Sequence, residues 1–248
     1  MSDEMSKSKE IGMEEVVVNW TQDRFKKLLK EYHISPEWEP EMPAKGKRAL
    51  DAPTGKICLY EPFFKLAGFR IPATRFLIKV LMEYKIHITQ WSPFGIIRIL
   101  HFEASCRALR VEPTFERFNV FYDLEVKHGG WYSFVGRNGV PPVITSGTSP
   151  KSMRDWKECF FYVKAGVLPV NMPWFAKGIN TKYPSFPVME GYENQDWFLT
   201  LTENHSPLND FYKCKNELLC LLGMNIAGIP EGKDVLPYGG GMDSLKGM

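Results

Sequence analysis

Apolar and aromatic side chains recur along this 248-residue chain in two rhythms, and together these restrict what it can fold into. In the first rhythm they stand at helical spacing. Phe25, Leu28, Leu29 and Tyr32 follow Thr21; Phe76, Leu77, Val80, Leu81 and Tyr84 follow Pro72; Phe115, Phe118, Phe121 and Tyr122 follow Pro113. Each set lies on one face of a helix. In the second rhythm they run without a break, as Trp131-Tyr132-Ser133-Phe134-Val135 and Cys159-Phe160-Phe161-Tyr162-Val163. Short runs of such high β propensity read as strands. Aromatics make up 14% of the chain, enough that burying them needs one sizeable core. The expected fold is mainly α, of the α+β class. It is a compact helical domain with a small antiparallel sheet, made by pairing the Trp131 and Phe160 runs.

Capping and breaking residues divide the chain. Val16 to Val18 read as a short extended piece, and Thr21 as the N-cap of the first helix. Pro36, Pro40 and Pro43 forbid a long helix between His33 and Lys56, so that stretch reads as a surface arm pinned by Trp38. Cys58 to Leu66 reads as a strand or a helix, stopped by Gly68. Ser92-Pro93 is a cap followed by proline at the first helical position, and opens a helix past Ile96, Ile97 and Leu100 to Ala108. His128-Gly129-Gly130 breaks the next helix. Gly147 to Pro150 reads as a loop and Ser152 to Lys157 as a helical turn. Residues 165–196 read as irregular, anchored by Trp174 and Phe175. Ser206-Pro207 repeats the helix-start signal ahead of Leu208, Phe211, Leu218, Leu219 and Leu222. The division is therefore a disordered N-terminus over 1–15, one globular domain over 16–225 and a flexible Gly-rich tail over 226–248.

Charge and cysteine usage exclude some function classes. Lys and Arg number 31 against 29 Asp and Glu, a net of +2, which gives no basic excess of the kind that drives phosphate binding. The five cysteines (Cys58, Cys106, Cys159, Cys214, Cys220) are odd in number and contain no Cys-x-x-Cys pair, which fits free thiols in a reducing compartment. The charged N-terminus has no apolar signal region, and no run reaches the roughly 18 apolar residues of a membrane span. The expected setting is intracellular, nuclear or cytoplasmic, with no membrane partner.

No catalytic or metal motif is complete. His101-Phe102-Glu103 has the His-x-Glu form that opens a zinc deaminase signature, but the downstream Pro-Cys-x-x-Cys is missing. Gly239-Gly240-Gly241 lacks the Lys-Ser/Thr ending of a phosphate loop, and Gly-x-Ser-x-Gly is absent. Asp123, Glu125, Asp155 and Glu158 carry no mark of a two-metal carboxylate cluster and read as surface acids. Expectations are therefore no enzyme activity, no cofactor, no metal and no catalytic residue. The candidates for nucleic-acid contact are Arg98, Arg107, Arg110 and Arg117, on two neighbouring helices. Glu103, Glu112 and Glu116 interleave with them, so local ion pairs compete with a phosphate-binding stripe.

A series of pieces from Tyr32 to Trp174 carries a resemblance. Tyr32-His33-Ile34 precedes the proline-rich arm. Cys58-Leu59-Tyr60 and Phe63-Phe64 precede Gly68-Phe69-Arg70-Ile71-Pro72. Tyr84-Lys85-Ile86, Gln90-Trp91-Ser92-Pro93, Cys106-Arg107 and Pro113-Thr114 follow in order, then Gly130-Trp131-Tyr132-Ser133-Phe134, Trp156-Lys157 and Phe160-Phe161-Tyr162-Val163. In this order they make the stretch resemble the gypsy-type transposon domain found in plant genomes. The resemblance implies association with gypsy-class retroelements and supplies no catalytic residues to carry over. It points to a non-enzymatic mobile-element protein that acts in binding or assembly, with element nucleic acid or with other copies of itself. A nucleic-acid-binding module recruited to host regulation is the first alternative, and an enzyme with a convergent carboxylate site the second.

Overall fold

The computed structural model describes residues 12–145, 155–168, 186–203 and 206–207. The expected N-terminal tail up to residue 11, the loop and turn at 147–154, Trp174, Phe175, the helix beyond Pro207, Cys214, Cys220 and the Gly-rich tail lie outside those residues. Packed structure begins ahead of residue 16, because Met13 is buried against Trp131.

Thr21 and Ser92 cap helices as the sequence predicts, and Thr74 and Thr114 cap two more. Helix α1 (Gln22–Glu31) starts where Thr21 accepts a hydrogen bond from the Arg24 N–H, and Phe25 and Leu28 turn inward. Strand β1 (Lys56–Tyr60) runs directly into the short helix α2 (Glu61–Lys65). The Cys58 to Leu66 segment is thus both a strand and a helix. Thr74 caps α3 (Arg75–Tyr84), Ser92 caps α4 (Pro93–Ala108) and Thr114 caps α5 (Phe115–Phe121).

Helix α4 is the axis of the core. Twelve of its sixteen residues are buried, on all sides. A helix of that kind must be surrounded. Phe102 meets Phe76 from α3 and Phe118 and Phe121 from α5. Trp91, just ahead of α4, stacks on Phe134 with ring centres 4.8 Å apart. A second group of rings joins Trp20, Phe25, Phe64 and Phe161.

The strands pair differently from the expectation. Tyr122 does not end the aromatic helix; it begins β2 (Tyr122–Val126), which forms an antiparallel hairpin with β3 (Tyr132–Gly136). The turn at Gly129 and Gly130 has positive φ at both residues, so the glycines close a hairpin and do not break a helix. The Phe160 run, β5 (Phe160–Lys164), pairs antiparallel with β1. The Trp131 and Phe160 runs therefore belong to two separate sheets, each with a partner that the aromatic pattern alone does not mark as a strand. The arm lies along β5: Glu41 and Tyr162 exchange backbone hydrogen bonds of 2.8 and 2.9 Å. Trp38 packs half-buried against the core.

The sequence predicts irregular chain throughout 165–196 and a helix starting at Ser206-Pro207. The described parts of the first stretch hold only single 3-10 turns, and helix α6 (Asp196–Glu203) begins at its last residue. Ser206–Pro207 is a strand, β6, parallel to β4 (Ile144–Thr145). None of the described helices is long and apolar enough to cross a membrane.

Gly95, in the first turn of α4, shows how closely the hairpin packs. A Cβ there would lie 2.8 Å from the buried Trp91 ring and 3.3 Å from the Ser133 Cα. Gly→Ala inside a helix ordinarily gains up to about 1 kcal/mol. Here overpacking against a rigid ring outweighs that gain, and Gly95→Ala is expected to destabilise by roughly 1–3 kcal/mol. The shift in urea midpoint measures it, and an unchanged or raised midpoint would refute the packing argument.

Candidate docking groove and the arginine set

The His-x-Glu triplet is taken apart by helical geometry. Residues two apart on a helix point about 200° from each other. His101 and Glu103 are both buried, with 1% and 0% of their surface exposed. His101 is hydrogen-bonded to the Leu66 backbone beyond α2, and burial lowers its pKa to about 4. Glu103 goes the other way. Its Oε2 accepts from Thr74 Oγ1 at 2.6 Å, and its Oε1 accepts from Arg107 at 2.7 and 3.2 Å. Burial raises the Glu103 pKa, while Thr74 and Arg107 oppose the shift. Thr74 also caps α3, so this carboxyl ties the start of α3 to the middle of α4. Among the described residues no group of three or more His, Cys, Asp or Glu could hold a metal ion.

The four candidate arginines do not share one exposed face. Nine residues separate Arg98 from Arg107, which puts them on opposite sides of α4. Arg107 is held by Glu103, so the local ion pair forms there. Arg117 donates to the Glu112 backbone carbonyl at 2.7 Å, and its guanidinium carbon lies 5.2 Å from the centre of the Trp197 ring. Arg98 is half-buried, and desolvation lowers its pKa against the opposing charges of Tyr122 and Glu125. Arg110 is exposed beyond the end of α4, with a left-handed φ of 58°. The acids read as surface residues are mostly engaged as well. Asp123 pairs with Arg137 at 2.7 Å, Glu125 with Lys127 at 2.6 Å, and Glu158 accepts from Asn19 at 2.9 Å.

The surface with the most developed geometry lies outside every sequence-based expectation. It is the outer side of α5 with the end of α3, covered by residues 186–203. Phe186 sits against Tyr84 and Phe115, with ring centres 5.2 and 4.6 Å away, both edge-on. Asn119, itself buried, turns its amide outward to the covering segment and donates to the carbonyls of Phe186 and Pro187 at 3.4 and 3.2 Å. Arg137 holds the Asn119 backbone carbonyl at 2.9 Å. Further along, Phe198 stacks on Phe121 with ring centres 5.5 Å apart and planes 15° apart. Trp197 meets Phe121 on one side and Arg117 on another. Aromatic anchors, one cation–π contact and a buried amide on two backbone carbonyls are how a groove recognises a peptide segment. A sequence signal for part of this exists. Trp197, Phe198 and Leu201 stand at helical spacing behind Asp196, a helix hidden at the edge of the proline-rich stretch.

Residues 57–126 match a family model described as "Putative gypsy type transposon". The match confirms the gypsy-type transposon resemblance over that segment. It covers the groove floor, from β1 through α5 and β2, and leaves the covering segment outside. No curated protein and no solved structure matches the chain.

His101 gives a pH prediction. Its folded pKa is lowered from the usual 6.5 to about 4. The unfolded chain therefore binds the extra proton between those values, and stability falls as pH drops through that window. Going from about pH 7 to about pH 4.5, His101 should account for about 2–3 kcal/mol of lost stability. In His101→Gln that part of the loss should vanish, as read from urea midpoints at both pH values. An identical loss in variant and parent would mean that the imidazole titrates normally.

Proposed function

We propose that the chain is a non-enzymatic binding and assembly module of gypsy-class retroelement origin, and that its working surface is the aromatic groove on α5. The observation that carries this reading is the docked segment itself. Phe186, Trp197 and Phe198 occupy a surface formed by Tyr84, Phe115, Asn119 and Phe121, with the backbone of the segment read by a buried amide. Three of those four floor residues lie on α5 and the fourth on α3, all within the family match. Two aromatic floors with a polar group between them favour recognition of protein chain over phosphate. The arginine arrangement supports the same side, because Arg107 and Arg117 are engaged within the domain.

A nucleic-acid-binding module recruited to host regulation is the second reading. It draws on Arg98 and Arg110, which make no ion pair among the described residues. The two readings separate in one pair of titrations. A labelled peptide of residues 186–203 is added to full chain carrying Phe186→Ala and Trp197→Ala, whose own segment no longer competes. Saturable binding is expected, weakened at least about tenfold, or about 1.4 kcal/mol, by adding Asn119→Arg. Duplex DNA is titrated against the unmodified chain between about 50 and 200 mM salt, with a shallow dependence expected. No peptide binding by a folded variant, or a steep salt slope lost in Arg98→Ala/Arg110→Ala, would overturn the groove reading.

A further inference from the structure

The β2–β3 hairpin uses only one side of β2. The bonds that close its two ends set the alternation. The Arg137 N–H donates to the Phe121 carbonyl and the Lys127 N–H to the Trp131 carbonyl, both at 2.8 Å. In the antiparallel register, with Leu124 opposite Phe134, the backbone of Asp123, Glu125 and Lys127 therefore faces β3. The N–H and C=O of Leu124 and Val126 point the other way, as does the Tyr122 carbonyl. The Tyr122 N–H is spent on the Phe118 carbonyl at the end of α5. Among the described residues no strand pairs with this outer edge, whereas the far side of β3 is bridged to Trp91. The edge is open to water, with Val126 49% exposed. A row of unpaired backbone groups is a template for one more strand.

Arg98 supplies the charge beside that edge. Helix α4 crosses the hairpin. Gly95 lies against Ser133, whose cross-strand partner is Glu125, and Phe102 meets the Tyr122 ring at 6.4 Å. Arg98 stands between Gly95 and Phe102 on the helix, half-buried and level with the middle of β2. Tyr122 and Glu125 are the groups whose charge it feels. The hairpin's own acids are already offset, Asp123 by Arg137 at 2.7 Å and Glu125 by Lys127 at 2.6 Å. Arg98 makes no ion pair among the described residues, so the charge left over beside the edge is positive. A partly desolvated guanidinium gains most from a carboxylate brought to it.

We propose that the outer edge of β2 is a second docking surface, which takes an extended segment of another protein as an added strand, with an acidic side chain near the segment's middle meeting Arg98. It uses none of the residues of the α5 groove and does not depend on that reading. A second copy of this chain fits less well. Pairing β2 with β2 along its full length is centred on Leu124 and sets Asp123 of one copy opposite Glu125 of the other. Like charges directly opposite destabilise a sheet.

The probe is a nine-residue peptide of threonine and valine with one central glutamate and blocked ends, titrated against the unmodified full chain. Saturable binding is expected, with the Leu124 and Val126 amides newly protected from hydrogen exchange. The same peptide with a central lysine should bind at least about tenfold more weakly, because a charge-assisted hydrogen bond is lost. In Arg98→Gln the two peptides should bind alike. Of two glutamate peptides N-methylated at alternate sets of backbone nitrogens, the one whose methyl groups face β2 should lose binding, with no change made to the protein. Asn119→Arg, which obstructs the α5 groove, should leave the affinity unchanged. No saturation by about 1 mM, unaltered exchange at Leu124 and Val126, or equal affinity for both peptides overturns the proposal. Binding lost in Asn119→Arg would move the peptide to the groove and overturn the edge. Protection of the same amides in the chain alone, rising with its concentration, would make a second copy the occupant and overturn it too.

Discussion

A helix that is buried on every side needs a neighbour on every side, and α4 sets that condition for the whole molecule. Ile97, Ile99, Leu100, His101, Phe102 and Ser105 are buried around its circumference. Removing such side chains from water is worth roughly 1.5–3 kcal/mol each for the larger ones, so leaving any face of α4 open would be costly. The surrounding elements follow from this. Helices α3 and α5 meet it through Phe76 and Phe118, and at Gly95 the Trp91 ring leaves no room for a methyl group while Ser133 of the β2–β3 hairpin packs tightly beside it. Polar residues of α4 are drawn inward as well: Glu103 is fully paired there, while the buried Ser105 hydroxyl has no hydrogen-bond partner among the described residues.

Those buried polar residues place two of the charged motifs inside the core. Read as letters, Glu103 belongs to the His-x-Glu triplet and Arg107 to the candidate nucleic-acid contacts. In the fold they form, with Thr74, a closed unit whose hydrogen bonds run between α3 and α4. Such a unit fixes the relative position of two helices. Breaking one member leaves a buried charge without compensation, which is why it reads as architecture. An aromatic floor within the matched segment is covered by chain from outside it.

The floor of that groove is also part of the core's outer shell. Tyr84 touches Trp91 and Phe134 on its inner side and Phe186 on its outer side. Phe121 likewise joins Phe102 inside to Phe198 outside. The covering segment therefore lies directly on the rings that pack around α4. Its departure would uncover two aromatic floors, Tyr84 with Phe115 and Phe121, with the Asn119 amide between them.

Much of the helical framework was legible in the sequence, because caps and periodicity are local. Thr21, Ser92-Pro93 and the Phe76–Tyr84 face fixed α1, α4 and α3 nearly to the residue. The strand runs at Trp131 and Phe160 were legible as strands for the same reason. Their pairing was not, since a strand's partner is chosen by what lies across the core. Tyr122 continues a helical spacing in sequence yet opens β2, because Gly129 and Gly130 let the chain fold back onto β3. Cys58 was equally ambiguous until β5 took Lys56–Tyr60 as its partner. The arginine candidates were visible as charges, but whether they converge is a question of rotation about α4, answered only by packing. The groove depended on tertiary structure most of all. Phe186 and Asn119 stand 67 residues apart and meet through a carbonyl–amide contact that no local pattern encodes. By itself the sequence determined the inward faces of α1, α3, α4 and α5, the caps at Thr21 and Ser92 and the aromatic wealth of the core, because these are local; the fold decided which strands pair and which rings meet the segment at 186–203, because those contacts join distant parts of the chain.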